Sequence, residues 1–376
     1  MTETEHKRIS FDEGIELFKH ADLEDLRVKA DALRHAKNPG KTVTFVLDTN
    51  PNYTNVCNAD CSFCAFYRHK GAKDAYTKTV EETLEHLAFA RDAGLSTVML
   101  QGGLDDDLKL DYYVNLIERA RAEYPDIYPH FFTAPEIWNC ARVSAVSIRE
   151  VLQALWNAGQ RSLPGGGAEI VSEKIRMAIS PKKMAPDAWI DVHKTAHEIG
   201  YRTTATMMYG HVEEPEDIVT HLETIRQAQD IIPGFTAFIP WSYKRDRTAL
   251  RRSVKNWAGK ESYFRILAFA RLYLDNFDHV QASWFSEGKE TGMKALHYGA
   301  DDFGGIIMEE NVHRATNFIN KTDHQGIVSM IREAGFTPLQ RNPLYEILRH
   351  YSDNETMIEV PESQKVQEED RVAILT

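Results

Sequence analysis

The chain has 376 residues, 43% hydrophobic and 27% charged, with 44 lysines and arginines against 56 aspartates and glutamates. Those proportions suit a globular protein with a sizeable core and exclude a disordered or fibrous chain. A formal charge of −12 argues against a general binder of nucleic acid phosphates, and no run approaches a membrane span. The polar start, Met1-Thr-Glu-Thr-Glu-His-Lys-Arg8, lacks the apolar core of a secretory signal, so a cytoplasmic protein with reduced thiols is expected.

Residues 1–40 predict an N-terminal helical extension, with helices over 12–18 and 23–36 covering the bottom of the fold that follows. From residue 42 onward, short β-rich runs alternate with amphipathic segments. Strands are expected at 42–48, 97–101, 128–133, 160–163, 202–208, 235–240, 280–284 and 303–308. Such alternation builds a parallel sheet, and eight units predict an α/β fold of the (β/α)8 TIM type over 41–310. The segment after Thr79 begins at a capping residue and stops at Gly94, and the same grammar recurs over 186–200. Beyond 310, a C-terminal helical segment over 311–376 is expected to pack on the barrel, with a frayed polar tail at 362–370.

Three of the four cysteines, Cys57, Cys61 and Cys64, fall within eight residues just after the first strand. Thiolates hold iron–sulfur clusters, and with Cys140 far away the fourth ligand is missing. The spacing therefore predicts a [4Fe–4S] cluster whose fourth iron is open to an exogenous molecule. The rival is a zinc site closed by His69, although zinc spacings favour C-x2-C pairs. Cys140 itself reads as a buried core thiol.

In a barrel of this kind the active site lies where strands end and loops begin. Gln101-Gly102-Gly103, the run 164–169 and the run 209–213 should therefore gather with the cysteine loop at one mouth. Glycines there admit a ligand to the backbone. Glu169 could accept hydrogen bonds from a ribose diol. Arg176, about two helical turns on, either addresses the same ligand or makes a surface salt bridge. His211 and Glu213 read as a proton-transfer pair or a buried structural pair. Asp301 is a further candidate proton acceptor. Trp241 and Trp284 would wall a pocket for a flat ring or pack in the core, and Gln281 is an inward candidate. The basic run Lys244, Arg245, Arg247, Arg251, Arg252 and Lys255 is an anion site or a solvated face.

Cys57, Cys61 and Cys64, with Phe63 before the third cysteine and Gly102-Gly103 after the second strand, resemble the radical S-adenosylmethionine (SAM) superfamily. The resemblance implies SAM on the open iron, Phe63 near its adenine, and Gln101, Gly102, Gly103, Glu169 and Arg176 as further contacts. Leu104 stands where many members have an acidic residue, and the fifth-strand pattern is only partly kept at Thr206, Met208, Gly210 and Glu213. The runs 133–137, 164–169, 205–213, 234–241, 281–284 and 309–311 narrow the resemblance to the futalosine-pathway enzymes of menaquinone synthesis. That implies a radical taking hydrogen from C4′ of a ribose and addition of the carbon radical to a benzoate ring. Loss of one electron and one proton then restores aromaticity. A sister reaction instead adds to an enolpyruvyl ether, and a non-catalytic iron–sulfur or zinc protein is the alternative of another class. The implied substrate contacts are His211, Trp241, Gln281 and Trp284, with the proton acceptor among Glu169, His211, Glu213 and Asp301. The implied partners are a nucleoside-like small molecule and an electron donor such as flavodoxin or ferredoxin.

Overall fold

Helix starts are written plainly into this chain: Ser10, Thr79 and Ser147 each form a reciprocal capping box with a glutamate three residues on. The computed structural model describes residues 8–255 and 257–351, so the tail expected at 362–370 lies outside the described residues. Two helices, α1 (Phe11–His20) and α2 (Leu23–Lys37), precede the first strand. That strand has two parts, β1 (Thr42–Val46) and β2 (Asp48–Thr49).

The βα units follow in order. They are α3 (Val80–Asp92), β3 (Thr97–Leu100), α4 (Leu110–Glu123), β4 (Tyr128–Phe131), α5 (Ala134–Ser144), α6 (Ile148–Ala158) and β5 (Ser162–Leu163). Next come α7 (Glu173–Ile179), α8 (Pro186–Ile199), β6 (Arg202–Tyr209), α9 (Pro215–Ile231), β7 (Phe235–Ser242), α10 (Lys260–Tyr273) and β8 (His279–Val280). Last are α11 (Trp284–Glu287), α12 (Lys289–Ala295), β9 (Asp302–Gly305), α13 (Asn311–Ala315), α14 (His324–Glu333), β10 (Thr337–Arg341) and β11 (Ile347–His350).

The strands close into the expected barrel. Parallel ladders run β2 to β3 to β4 and β5 to β6 to β7 to β8, while β9 pairs with β1. His130 Nδ1 lies 2.7 Å from Ser162 Oγ between β4 and β5, and a parallel bridge from Gln281 to Asp302 joins β8 to β9. The strand expected over 280–284 stops at Val280, because Trp284 already begins a helix.

Two expectations about the ends need correction. The N-terminal helices lie on the barrel's flank, α1 against α9 and α10 and α2 against α10, where Leu26 and Ala30 pack on Ala268. They reach the bottom only at its edge, where Arg34 at the end of α2 donates to Thr42 O and Lys37 to Phe277 O. The region after residue 310 contains helices, but it also adds β10 parallel to β1 and β11 antiparallel to β10. At the bottom of the barrel, Arg341 donates to Asp302 at 2.5 and 2.9 Å, and the Tyr345 ring stacks 3.9 Å from that of His279. Asp302 and His279 open their strands, so this segment closes the end opposite the mouth.

Candidate active site

Cys57, Cys61 and Cys64 follow β2 on a loop gripped from several sides. The Cys57 amide donates to Arg68 O at 2.9 Å, the Asn58 amide to Leu104 O at 3.2 Å, and the Ser62 amide to Ile179 O at 2.8 Å. Arg68 Nη1 donates back to the carbonyls of Ala65, Phe66 and Tyr67. The cysteines share a small apolar cluster with Ala59, Phe63 and Leu104. Burial pushes the Cys61 thiol up to about 12 and raises Cys64 as well. Such thiols ionise when a metal replaces the proton, which suits ligands of a cluster. Among the described residues, no three His, Cys, Asp or Glu converge as they would around a single ion, and His69 turns to Asp60 at 3.4 Å. Cys140 is fully buried in α5, with Ser144 Oγ 3.9 Å from its sulfur.

Gly102 and Gly103 are dictated by this loop. A Cβ on Gly103 would lie 2.1 Å from Val56 O, and one on Gly102 would lie 2.7 Å from the Tyr53 ring. Only glycines let the end of β3 approach so closely. Glu136 fixes the pair from beneath, accepting from Gly102 N at 3.0 Å, Tyr53 Oη at 2.6 Å, Thr133 N at 2.7 Å and Thr133 Oγ1 at 2.5 Å. Burial raises its carboxyl to about 7. Glu136 lies in the run 133–137 that carries the family resemblance, and Thr133-x-x-Glu136 is also a legible helix-start signal. Nearby, Asn50 and Asn52 donate to Gln101 Oε1 and O at 3.4 and 2.9 Å, while their own Oδ1 atoms are buried without a donor among the described residues. An ammonium or hydroxyl of a bound ligand would satisfy them.

Glu169 sits in the left-handed region at φ 48° and is buried at the same mouth. Burial works to raise its carboxyl, but Lys183 Nζ at 2.8 Å and Arg176 Nη1 at 3.3 Å outweigh it and hold it below the ordinary range. Arg176 is therefore an inner residue, also donating to Gly167 O and Ala168 O at 3.1 Å each. Lys183, which no sequence pattern marked, lies 5.8 Å from the centre of the Phe63 ring and so ties Glu169 to the cysteine loop.

Below this rim the barrel encloses a cavity of about 1080 Å³, counting space open to solvent. Gln101, Trp241 and Gln281 line it, together with Gly166, Phe285 and His313. So does Asp48, a buried carboxylate in the first strand. Its Oδ1 accepts from Ile307 N at 2.9 Å, and its Oδ2 accepts no hydrogen bond among the described residues. A Cβ on Gly305 would lie 2.0 and 2.2 Å from the two oxygens, so glycine is needed to seat this carboxylate. Burial lifts the Asp48 carboxyl to about 7. Glu310, by contrast, spends its oxygens on Val312 N at 3.2 Å and His313 N at 2.5 Å. His313 and His130 are both driven down to about 3 by burial, with Lys244 and Arg341 adding to it, and line the cavity as neutral rings at neutral pH.

Several residues fall elsewhere. His211 and Glu213 pair at 3.0 Å, but they line an outer groove beside α9, α10 and the turn between α1 and α2, not the barrel cavity. Trp284 is fully buried beside Phe303, with Nε1 donating to Gly305 O at 3.0 Å; its neighbour Phe285 is the ring that lines the cavity. Asp301 lies at the bottom, paired with Arg271 and accepting from Val280 N at 2.9 Å, with His279 Nδ1 at 2.5 Å. Of the four expected proton acceptors, only Glu169 is at the mouth.

A family model for the radical SAM superfamily matches residues 51–225, and one for the CofH/MqnC C-terminal region matches residues 232–354. The chain is 38% identical over 349 residues to a cyclic dehypoxanthine futalosine synthase of Halalkalibacterium halodurans, covering 93% of this chain and 94% of that one. It is 40% identical over 317 residues to a 5-amino-6-(D-ribitylamino)uracil–L-tyrosine 4-hydroxyphenyl transferase of Methanopyrus kandleri, covering 83% and 86%. The crystal structure of methylornithine synthase shares the fold, with a TM-score of 0.70 at 17% identity over 89% of this chain and 95% of that one.

Proposed function

Because the chain belongs to the radical SAM superfamily, in a branch that adds the CofH/MqnC C-terminal region, we propose that it is a cyclic dehypoxanthine futalosine synthase of menaquinone biosynthesis. The reading is carried by the match that runs nearly the length of both chains. Cys57, Cys61 and Cys64 would hold the [4Fe–4S] cluster. Phe63, Gln101, Gly102, Gly103, Glu169 and Arg176 would hold SAM. When bound, the two supply the radical that takes hydrogen from C4′ of the substrate ribose.

The protein's own part is to position, to exclude water and to move a proton. The cavity below the glycines takes the nucleoside-like substrate, with Trp241 and Phe285 as walls for a flat ring. Gln281 and neutral His313 offer polar contacts. Joining C4′ to the benzoate ring requires one electron and one proton to leave before aromaticity returns. Asp48 Oδ2 takes the proton, as a cavity-lining carboxylate oxygen that accepts no hydrogen bond among the described residues and with a carboxyl value close to neutral pH. Trp284 supports this indirectly by holding Gly305, on which the Asp48 carboxylate rests. His211, Glu213 and Asp301 have no chemical part in this reading.

Among the described residues no helix is long and apolar enough to cross a membrane. A reducing cytoplasm would keep the cluster thiols available. The reading is tested by incubating the reconstituted enzyme with SAM, a reductant and dehypoxanthine futalosine. The cyclic product should form together with 5′-deoxyadenosine. Product arising instead only from an enolpyruvyl benzoate, or only from tyrosine and the ribitylaminouracil, would overturn it.

A further inference from the structure

The basic run that stands out in the sequence has no role in the cavity, since none of Arg245, Arg247, Arg251 and Arg252 lines it. The fold instead lays this run against the cysteine loop. Leu250 N donates to Ser62 O at 2.8 Å, and Ser62 lies between Cys61 and Cys64. Arg251 and Arg252 follow Leu250 directly in a short 3-10 turn. The loop is tied down by Tyr243 N to Tyr209 O at 2.8 Å and by Thr248 Oγ1 to Arg245 O at 2.6 Å, so little order remains to be gained on binding.

Charge sets this loop apart. The whole chain is at −12, yet residues 244–255 hold six cations and one anion. Arg247, Arg251 and Arg252 are exposed and pair with no carboxylate among the described residues, and Arg245 has only Asp246 at 3.8 Å. The Arg245 guanidinium lies 3.8 Å from the centre of the Trp257 ring, and that tryptophan is 46% exposed. Exposed arginine and tryptophan together have the composition of an interface anchor, not of a bland solvated face. Across the cysteine loop, α7 supplies the Ile179 carbonyl that receives Ser62 N and leaves Met177 exposed.

From these observations we infer that residues 243–255, with Trp257, form the docking surface for a small acidic electron-carrier protein that reduces the centre held by the cysteine loop. The inference rests on the radical SAM reading only in that such a centre must receive electrons from outside. An acidic carrier is repelled by the net charge of the chain and attracted at this loop, so the field both speeds and orients the encounter. The backbone contact from Leu250 to Ser62 brings the docked carrier next to the cysteines.

The test follows cluster reduction by stopped-flow absorbance, comparing reduced flavodoxin, an acidic protein, with dithionite at low and high salt. The triple variant Arg247→Glu, Arg251→Glu, Arg252→Glu should slow flavodoxin-driven reduction by roughly tenfold or more at low salt and flatten its salt dependence. Dithionite-driven reduction should be unchanged, and the corresponding triple lysine variant should restore the flavodoxin rate. Binding of the cluster-loaded protein to immobilised flavodoxin should weaken in parallel. An unchanged flavodoxin rate and salt slope would overturn the inference, as would an equal loss with dithionite. A wrong substrate assignment would leave all these readouts untouched, so the two failures are distinguishable.

Discussion

Tyr53 and Glu136, 83 residues apart, share a 2.6 Å hydrogen bond beneath the Gly102-Gly103 turn. Tyr53 precedes the cysteine loop and Glu136 opens α5, so one buried carboxylate holds the glycine turn and the cysteine loop in register. Four donors converge on it, and all of them are satisfied by two carboxylate oxygens. In Glu136→Gln the amide nitrogen cannot accept, and at least one of those donors is left unpaired. The expected cost is about 1–3 kcal/mol of stability in urea unfolding. SAM binding by calorimetry should weaken while iron content is retained.

Asp48 gives opposite signs for stability and activity. Burial raises its carboxyl in the folded protein to about 7, above the ordinary 3.8. Between those values the folded state keeps a proton that the unfolded chain has lost, so this group's contribution to stability falls as pH rises towards 7. Product formation should rise over the upper part of the same window, because the proton acceptor must be ionised. In Asp48→Asn the pH dependence of unfolding should flatten. Cyclic product should fall by at least about tenfold while 5′-deoxyadenosine still forms. A variant that makes wild-type amounts of product would rule out the role assigned to Asp48.

Arg341 and Asp302 are an ion pair buried at the barrel's closed end. Removing one partner leaves the other charge buried and unpaired. Arg341→Met should therefore cost about 3–5 kcal/mol, whereas Arg341→Met with Asp302→Asn should recover part of that loss. Urea titrations of the two variants decide the matter; equal losses would mean that the pair is not coupled.

Trp284 and Phe285 are neighbours with different duties. Trp284→Phe removes the Nε1 bond to Gly305 O and should lower the melting temperature. Phe285→Ala empties part of the cavity wall and should raise KM for the substrate several-fold with a smaller change in stability. If the substitution at Trp284 raises KM and the one at Phe285 does not, the cavity wall has been assigned to the wrong ring.

The barrel was legible because strand and helix periods alternate cleanly through the middle of the chain. The last segment was harder. Thr337–Arg341 contains Pro338 and offers little local strand signal; it becomes a strand by pairing with β1, nearly three hundred residues earlier. The run after Val280 reads as a continuing strand because polar Gln281 and Ser283 alternate with apolar Ala282 and Trp284, but Gln281 makes only an isolated bridge to Asp302 before the chain turns into α11. His211 and Glu213 do lie beyond a strand end, as expected. The bend at Gly210, with φ 84°, accompanies their placement on the outer groove.

Local pattern alone determined the cysteine triplet, the strand-end glycines and the βα alternation, because each of these is a matter of spacing within a few residues. The tertiary structure decided what faces the cavity. Asp48 stands among its lining residues because Gly305 leaves room for it and Ile307, 259 residues away, donates to it. Phe285 lines the cavity and Trp284 does not, because a step of one residue turns a side chain to another face. Such choices depend on distant segments meeting, and no short stretch of sequence records them.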